Sequence, residues 1–216
     1  MKRIVLNLML LAGCFPAFAQ SEMKPLTDVE DFKKKMAAET QKMNTIECDF
    51  TQIKHLTAVS GDIISKGKFY YQKEDKVSLD YTDPVKYLIV INGTKIKIVS
   101  NGKTSVSDIP ANMKPMQETI SACMTGNLQA MTGNYKMEYY QNSKEYLIKI
   151  FPQNEGAKAM LEGINIYLDK NDLSVSRLVM LEASRDKNAK DKDYTEYQFS
   201  NKKLNVSIPA SRFSIK

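Results

Sequence analysis

The chain contains no tryptophan, one histidine, three cysteines, nine glycines and seven prolines in 216 residues. Each scarcity removes a class of chemistry. His55 stands alone, with Lys54 and Leu56 beside it and no cysteine or carboxylate at ligand spacing, so none of the familiar metal patterns can be written. The glycines form no Gly-x-Ser-x-Gly elbow, phosphate loop or dinucleotide fingerprint. No run of five basic residues occurs, and the lysines are scattered. A formal charge of +6 spread this way describes a solvated surface rather than a nucleic-acid binder. Carboxylates are plentiful, but none is set apart by its context. No catalytic residue, metal or cofactor is therefore assigned, and the expectation is a protein that is not an enzyme. There is also no repeat, no low-complexity linker and no second long apolar run after the N-terminal one, which leaves a single domain.

The N-terminal segment is set apart from the fold. Met1-Lys2-Arg3 is a positive start, Ile4–Gly13 an apolar run too short to span a bilayer as a mature helix, and Ala17-Phe18-Ala19 a small-x-small cleavage signal. Residues 1–19 read as a secretory signal peptide and 20–216 as one mature domain. The same segment holds Leu11-Ala12-Gly13-Cys14, which is similar to a lipobox whose cysteine would be acylated. Phe15–Ala19 stays apolar where a lipid-anchored chain would turn polar, which favours cleavage after Ala19. Removal of Lys2 and Arg3 leaves the mature chain at +4. Cys48 and Cys123 survive cleavage. An oxidising compartment would allow a bridge between them, and two buried thiols fit equally well.

Thr27-Asp28-Val29-Glu30 has the spacing of a capping box, and Val29, Phe32, Met36 and Met43 follow at helical intervals to about Asn44. Alternation then takes over. Ile46, Cys48 and Phe50 are followed by strand patterns over Ile63–Tyr71, Lys76–Thr82, Lys86–Ile91 and the Ile96/Ile98 pair. Asn92-Gly93 and Asn101-Gly102 are two-residue hairpin signals. From Met113 to Met131 the apolar residues Met113, Met116, Ile120, Cys123, Met124, Leu128 and Met131 change to helical spacing. Strands resume over Tyr135–Tyr140, Glu145–Phe151, Ile164–Leu168, Ser174–Leu181 and Tyr194–Phe199, with a last short strand or turn between Leu204 and Ile215. The expected fold is α+β and mainly β: one antiparallel, incompletely closed β-barrel of about 10–11 strands, covered by a lid of short helices. The methionines either fill an irregular core or line an adaptable wall.

Particular motifs carry a resemblance to a known family. Cys48-Asp49-Phe50-Thr51-Gln52, Gly67-Lys68-Phe69-Tyr70, Leu79-Asp80-Tyr81-Thr82-Asp83-Pro84 and the run Leu88–Ile98 through Asn92-Gly93 follow one another in the order and spacing of the periplasmic lipoprotein carriers of Gram-negative bacteria, the LolA type. The closing stretch Tyr194–Ile215 is similar to that family's final strand, polar turn and phenylalanine. The resemblance implies an unclosed barrel with a helical lid. It implies a chaperone that takes acylated lipoproteins from an inner-membrane ABC lipoprotein-release transporter, crosses the periplasm and delivers them to an outer-membrane acceptor, without covalent chemistry. A monomer is expected. A membrane-tethered LolB-like receptor and a lipid-sensing interaction module are the alternatives. Where the family places a lid-holding arginine, spacing puts Lys73, which reads either as a weaker latch or as an exposed turn lysine. Tyr70 and Leu79 stand where members often carry tryptophan. On this reading acyl chains would touch Phe50, Phe69, Tyr71, Val77, Leu79, Tyr81, Ile89, Ile91, Ile96 and Ile98 on the dry face of the strands, with Met116, Ile120 and Met124 from the lid.

Overall fold

The computed structural model describes residues 22–73, 76–111, 114, 117, 121–122, 135–183 and 191–216. The signal segment with Cys14 and the helical positions Met113, Met116, Ile120, Cys123, Met124, Leu128 and Met131 lie outside the described residues.

The chain begins with a two-residue strand β1 (Lys24–Pro25) and the helix α1 (Val29–Gln41). Six strands follow: β2 (Thr45–His55), β3 (Ile63–Gln72), β4 (Lys76–Asp83), β5 (Tyr87–Asn92), β6 (Lys95–Ser100) and β7 (Lys103–Asp108). After the central segment come β8 (Tyr135–Gln141), β9 (Glu145–Pro152), a single-turn helix α2 (Glu155–Lys158), β10 (Leu161–Asp169), β11 (Val175–Glu182) and β12 (Tyr194–Leu204). A 3-10 turn over Ala210–Phe213 ends the regular structure. All strands belong to one antiparallel sheet in the order β1-β8-β9-β10-β11-β12-β2-β3-β4-β5-β6-β7. The β12–β2 pairing joins the two meanders, and β1 and β7 remain as unjoined edges, so the barrel is open. Two strands go beyond the sequence reading: β1, which is too short to leave a pattern, and β7, whose six residues are all exposed and carry one apolar side chain, while the last short strand or turn expected between Leu204 and Ile215 is the 3-10 turn.

Local chemistry explains the boundaries, with two corrections. The N-cap of α1 is Asp28, not Thr27: its carboxylate accepts from the Asp31 amide at 3.0 Å. Phe32, Met36 and Thr40 are the buried stripe of α1, and Thr40 spends its hydroxyl on the Met36 carbonyl at 2.8 Å. The hairpin after β5 turns on Gly93-Thr94 rather than Asn92-Gly93, because Asn92 already pairs with Lys95 and only Gly93 has positive φ. The next hairpin does turn on Asn101-Gly102, with φ of 51° and 73°.

The core lies on the concave face. Phe32 and Met36 reach it from α1 and Met43 from the link to β2, and Ile109 and Ala122 join the same cluster. Phe32 packs on Tyr146 at 4.6 Å and Tyr139 at 6.0 Å between ring centres, which seats α1 over β8 and β9. The convex face carries a second, smaller core. Tyr70, Ser78 and Val90 are buried there beside the C-terminal segment, whose Phe213 is 2% exposed. Asn92 donates to the Phe213 carbonyl at 3.0 Å, Lys97 to the Ser214 carbonyl at 3.1 Å, and Arg212 pairs with Asp80 at 3.1 Å while lying over the Tyr70 ring.

Candidate functional site

The pairing register lines up the concave side chains in rows that cross the sheet. One row runs Ile46, Tyr71, Val77, Ile91, Ile96, and the next Cys48, Phe69, Leu79, Ile89, Ile98. A third runs Phe199, Phe50, Gly67, Tyr81, Tyr87. All ten strand residues singled out in the sequence therefore share one face. Nine are buried, and Ile98 is half-buried. Their three partners from the central segment, Met116, Ile120 and Met124, lie outside the described residues.

Gly67 is what lets the third row form. A Cβ there would lie 2.3 Å from the Asp80 carbonyl oxygen and 2.8 Å from the Phe50 ring. With hydrogen in its place, Phe50 lies across β3 and meets Tyr81 edge-on at 4.8 Å and Tyr197 at 6.0 Å. Phe199 continues the wall, 5.3 Å from Phe69 and stacked at 6.4 Å on Tyr197, and Tyr87 closes its other end 5.5 Å from Tyr81.

The aromatic wall has a polar seam that sequence reasoning missed. Gln52 Nε2 donates to Tyr197 Oη at 2.8 Å, and Tyr197 Oη lies 3.2 Å from Tyr81 Oη. Burial pushes both phenols well above the usual tyrosine range, so they stay neutral. Gln52 belonged to a quoted motif, but only the β12–β2 pairing, 145 residues apart, reveals its partner.

Elsewhere along the rows, Ile46, Cys48, Phe69, Val175 and Phe199, with Ser174 and Lys202, line a small cleft with room for about one water molecule. Cys48 is a free thiol, and burial pushes it up to about 12. Lys73 reaches α1: its ammonium donates to the Gln41 carbonyl in the last turn of the helix, and its amide donates to Asn44 at 2.9 Å. A cation there complements the helix dipole. His55 is a strand-end residue, but not an isolated one. Nδ1 meets Asp62 at 2.7 Å, Nε2 meets Asp191 at 3.2 Å, and the ring stacks on Tyr194. Those two carboxylates, Asp62 first, raise its affinity for a proton. Among the described residues no three His, Cys, Asp or Glu side chains form a metal-binding group, and no helix is long and apolar enough to cross a membrane.

No curated protein sequence matches the chain. Among solved structures, the MucA/MucB complex of Pseudomonas aeruginosa aligns with a TM-score of 0.50 and 12% identity, over 85% of this chain and 59% of that one. A LolA superfamily protein from Nitrosomonas europaea aligns with a TM-score of 0.45 and 7% identity over 84% and 97% of the two chains. The Mycobacterium tuberculosis lipoprotein LppX gives 0.46 and 9% over 82% and 96%. Residues 41–216 match the family described as outer membrane lipoprotein carrier protein LolA. That match covers all but the first strand, the helix α1 and the N-terminal segment, and the chain belongs to the LolA family.

Proposed function

We propose that this protein is a periplasmic carrier that takes the acyl chains of lipoproteins onto its concave face and moves them from the inner to the outer membrane. The observation that supports this best is the run of apolar rows, five strands wide, on the inside of a sheet that never closes. An open sheet can widen between β1 and β7 without breaking a pairing. A closed barrel cannot. Each buried methylene contributes about 0.8 kcal/mol, so one sixteen-carbon chain offers a gross gain of roughly 10 kcal/mol. Displacing Phe32 and Met36 of α1, with Met43 just after it, and ordering the chain subtract from that figure, which keeps binding reversible.

The donor in this reading is an ABC lipoprotein-release transporter, and the acceptor an outer-membrane protein. Residues 1–19 act as the export signal. Lys73 holds the closed state by gripping the end of α1. No bond is made or broken in the cargo. Native mass spectrometry of protein purified from its own envelope tests this. A co-purifying acylated polypeptide, with Gln20 as the mature N-terminus, is the expected result. Diacylglyceryl-Cys14 at the N-terminus would make it a tethered receptor instead. An empty chain in stable complex with a regulatory protein would replace transport with an interaction module.

A further inference from the structure

Lys202 is out of step with the strand that carries it. Thr195, Tyr197 and Phe199 of β12 face inward, so strict alternation would send Asn201 and Lys203 inward next and keep Lys202 outside. The register slips instead. Ser200 pairs with Asp49 and Lys203 with Glu47, which leaves Asn201 and Lys202 together opposite Cys48. This is a β-bulge, with Asn201 at a φ of 53°. Asn201 turns outward and donates to Asp49 at 2.8 Å, and Lys203 pairs with Glu47 at 3.0 Å. Lys202 is thereby aimed onto the concave face, where its side chain is 16% exposed and lines the cleft with Cys48, Phe69 and Phe199. A second departure faces it. Leu173, a buried leucine, has a φ of 55° and leads into Ser174, which is buried at the same cleft. A leucine in the left-handed region is strained, and strain beside a cleft points to a use for the group it aims.

The charge placed there is loosely compensated. Lys202 Nζ donates to Ser174 Oγ, and the nearest carboxylate oxygen among the described residues, Asp172 Oδ1, is 4.0 Å away. That oxygen already accepts from Ser174, from its amide at 2.8 Å and its hydroxyl at 2.6 Å. Lys202 lines the cleft and Asp172 does not. Burial raises the Cys48 thiol, and the strongest charge acting on it is Lys202, which pulls it back. The field of the cation therefore reaches into the cleft. An ammonium has three donors, and Ser174 accepts one of them. The cleft has room for about one oxygen-sized guest. An apolar guest would leave the ammonium facing hydrocarbon, whereas an anionic oxygen gains a charge-assisted hydrogen bond. A chain attached to that oxygen has a path, because Cys48 and Phe69 begin the row that continues through Leu79, Ile89 and Ile98.

We propose that Lys202 and Ser174 form a headgroup subsite for an anionic oxygen, of a carboxylate or a phosphate, on an acyl amphiphile whose chain lies along the row from Cys48 to Ile98. The subsite rests on the acyl-binding reading of the concave face and widens it. The ester and amide linkages of an acylated lipoprotein are neutral, so charged free lipids become a second class of cargo.

The test titrates the full mature protein at pH 8 with three sixteen-carbon probes, each below the concentration at which it self-associates: hexadecanoate, hexadecyl phosphate and hexadecanol. The wild-type protein binds at least one anion roughly 10- to 100-fold more tightly than the alcohol, the range of one hydrogen bond to a charged group. A preference for hexadecanoate alone names a fatty acid, for the phosphate alone a phospholipid-type head, and for both a general anion site; each supports the subsite. In Lys202→Met the anion-to-alcohol ratio falls to about one. Because the ratio is read within each protein, a general loss of affinity leaves it interpretable. Asp172→Asn separates binding from a structural pin. It keeps an acceptor for Ser174 and removes the competing negative charge, so the ratio holds or rises. A wild-type ratio of one for both anions, a ratio that survives in Lys202→Met, or a fall to one in Asp172→Asn overturns the subsite while leaving the carrier standing. Uptake of none of the three probes overturns both.

Discussion

Gly67→Ala is the smallest change that strikes the aromatic wall. The added methyl would lie 2.3 Å from the Asp80 carbonyl oxygen, and that oxygen cannot retreat, because Asp80 is fixed between Lys68 of β3 and Leu88 of β5. The Phe50 ring at 2.8 Å could shift, but only toward Tyr81 or Tyr197. Overpacking of this kind costs about 3 kcal/mol. Alanine's smaller unfolded-state entropy returns about 0.5–1 kcal/mol, since Gly67 has no left-handed φ. A net loss of about 2 kcal/mol remains, which lowers the urea midpoint by about 1 M if m is about 2 kcal/mol per M. Gly93→Ala is the control. Its Cβ meets nothing within 4 Å, and its φ of +59° costs about 1 kcal/mol, half the effect. Urea unfolding of both variants, followed by circular dichroism, gives the comparison. If Gly67→Ala loses no more than Gly93→Ala, the close approach of β3 and β4 at Phe50 is wrong, and the wall with it.

Other consequences can be measured on the same protein. Phe213→Ala removes the plug over Tyr70, Ser78 and Val90 and lowers unfolding stability by about 3–5 kcal/mol, while a loss under 1 kcal/mol would mean the C-terminal segment is not docked. Cys48 resists N-ethylmaleimide at pH 8 in the native state and is labelled after unfolding, as mapped by peptide mass; rapid native labelling would contradict its burial. His55 titrates higher folded than unfolded, so its pairing with Asp62 and Asp191 stabilises fully below its ordinary value of about 6.5 and is lost as pH rises through the raised one. Thermal melts across that window therefore decline with rising pH in the wild type, and His55→Gln removes that component; identical pH profiles would refute the pairing with Asp62 and Asp191.

Much of the sheet was legible because alternation is a local property. Phe69 and Tyr71, Val77 through Tyr81, and Ile89 and Ile91 declare their face within three residues, and pairing then places them side by side. What depends on distant chain was not legible. Tyr70, Ser78 and Val90 alternate as a wet face and are dry because Phe213 returns to cover them. Gln52 looks like an exposed strand amide until β12 brings Tyr197. His55 finds Asp62 across a hairpin and Asp191 from 136 residues away. The helix cap was misplaced by one residue because Thr27 and Asp28 are both good caps, and only the geometry of the chain leading into α1 chooses between them. β1 pairs with β8 through two residues, fewer than any periodicity can register.

The central claim is that the concave face binds acyl chains, and uptake of a fluorescent sixteen-carbon acyl probe tests it most directly. The wild-type protein should take up the probe saturably. Leu79→Glu, which puts a carboxylate at the middle of the apolar rows, and Ile98→Glu, at their half-buried end, should each lose uptake by at least about tenfold, the cost of an unpaired charge in an apolar site, with native circular dichroism confirming the fold. Undiminished uptake in folded Leu79→Glu and Ile98→Glu would place the acyl chain elsewhere and contradict the account.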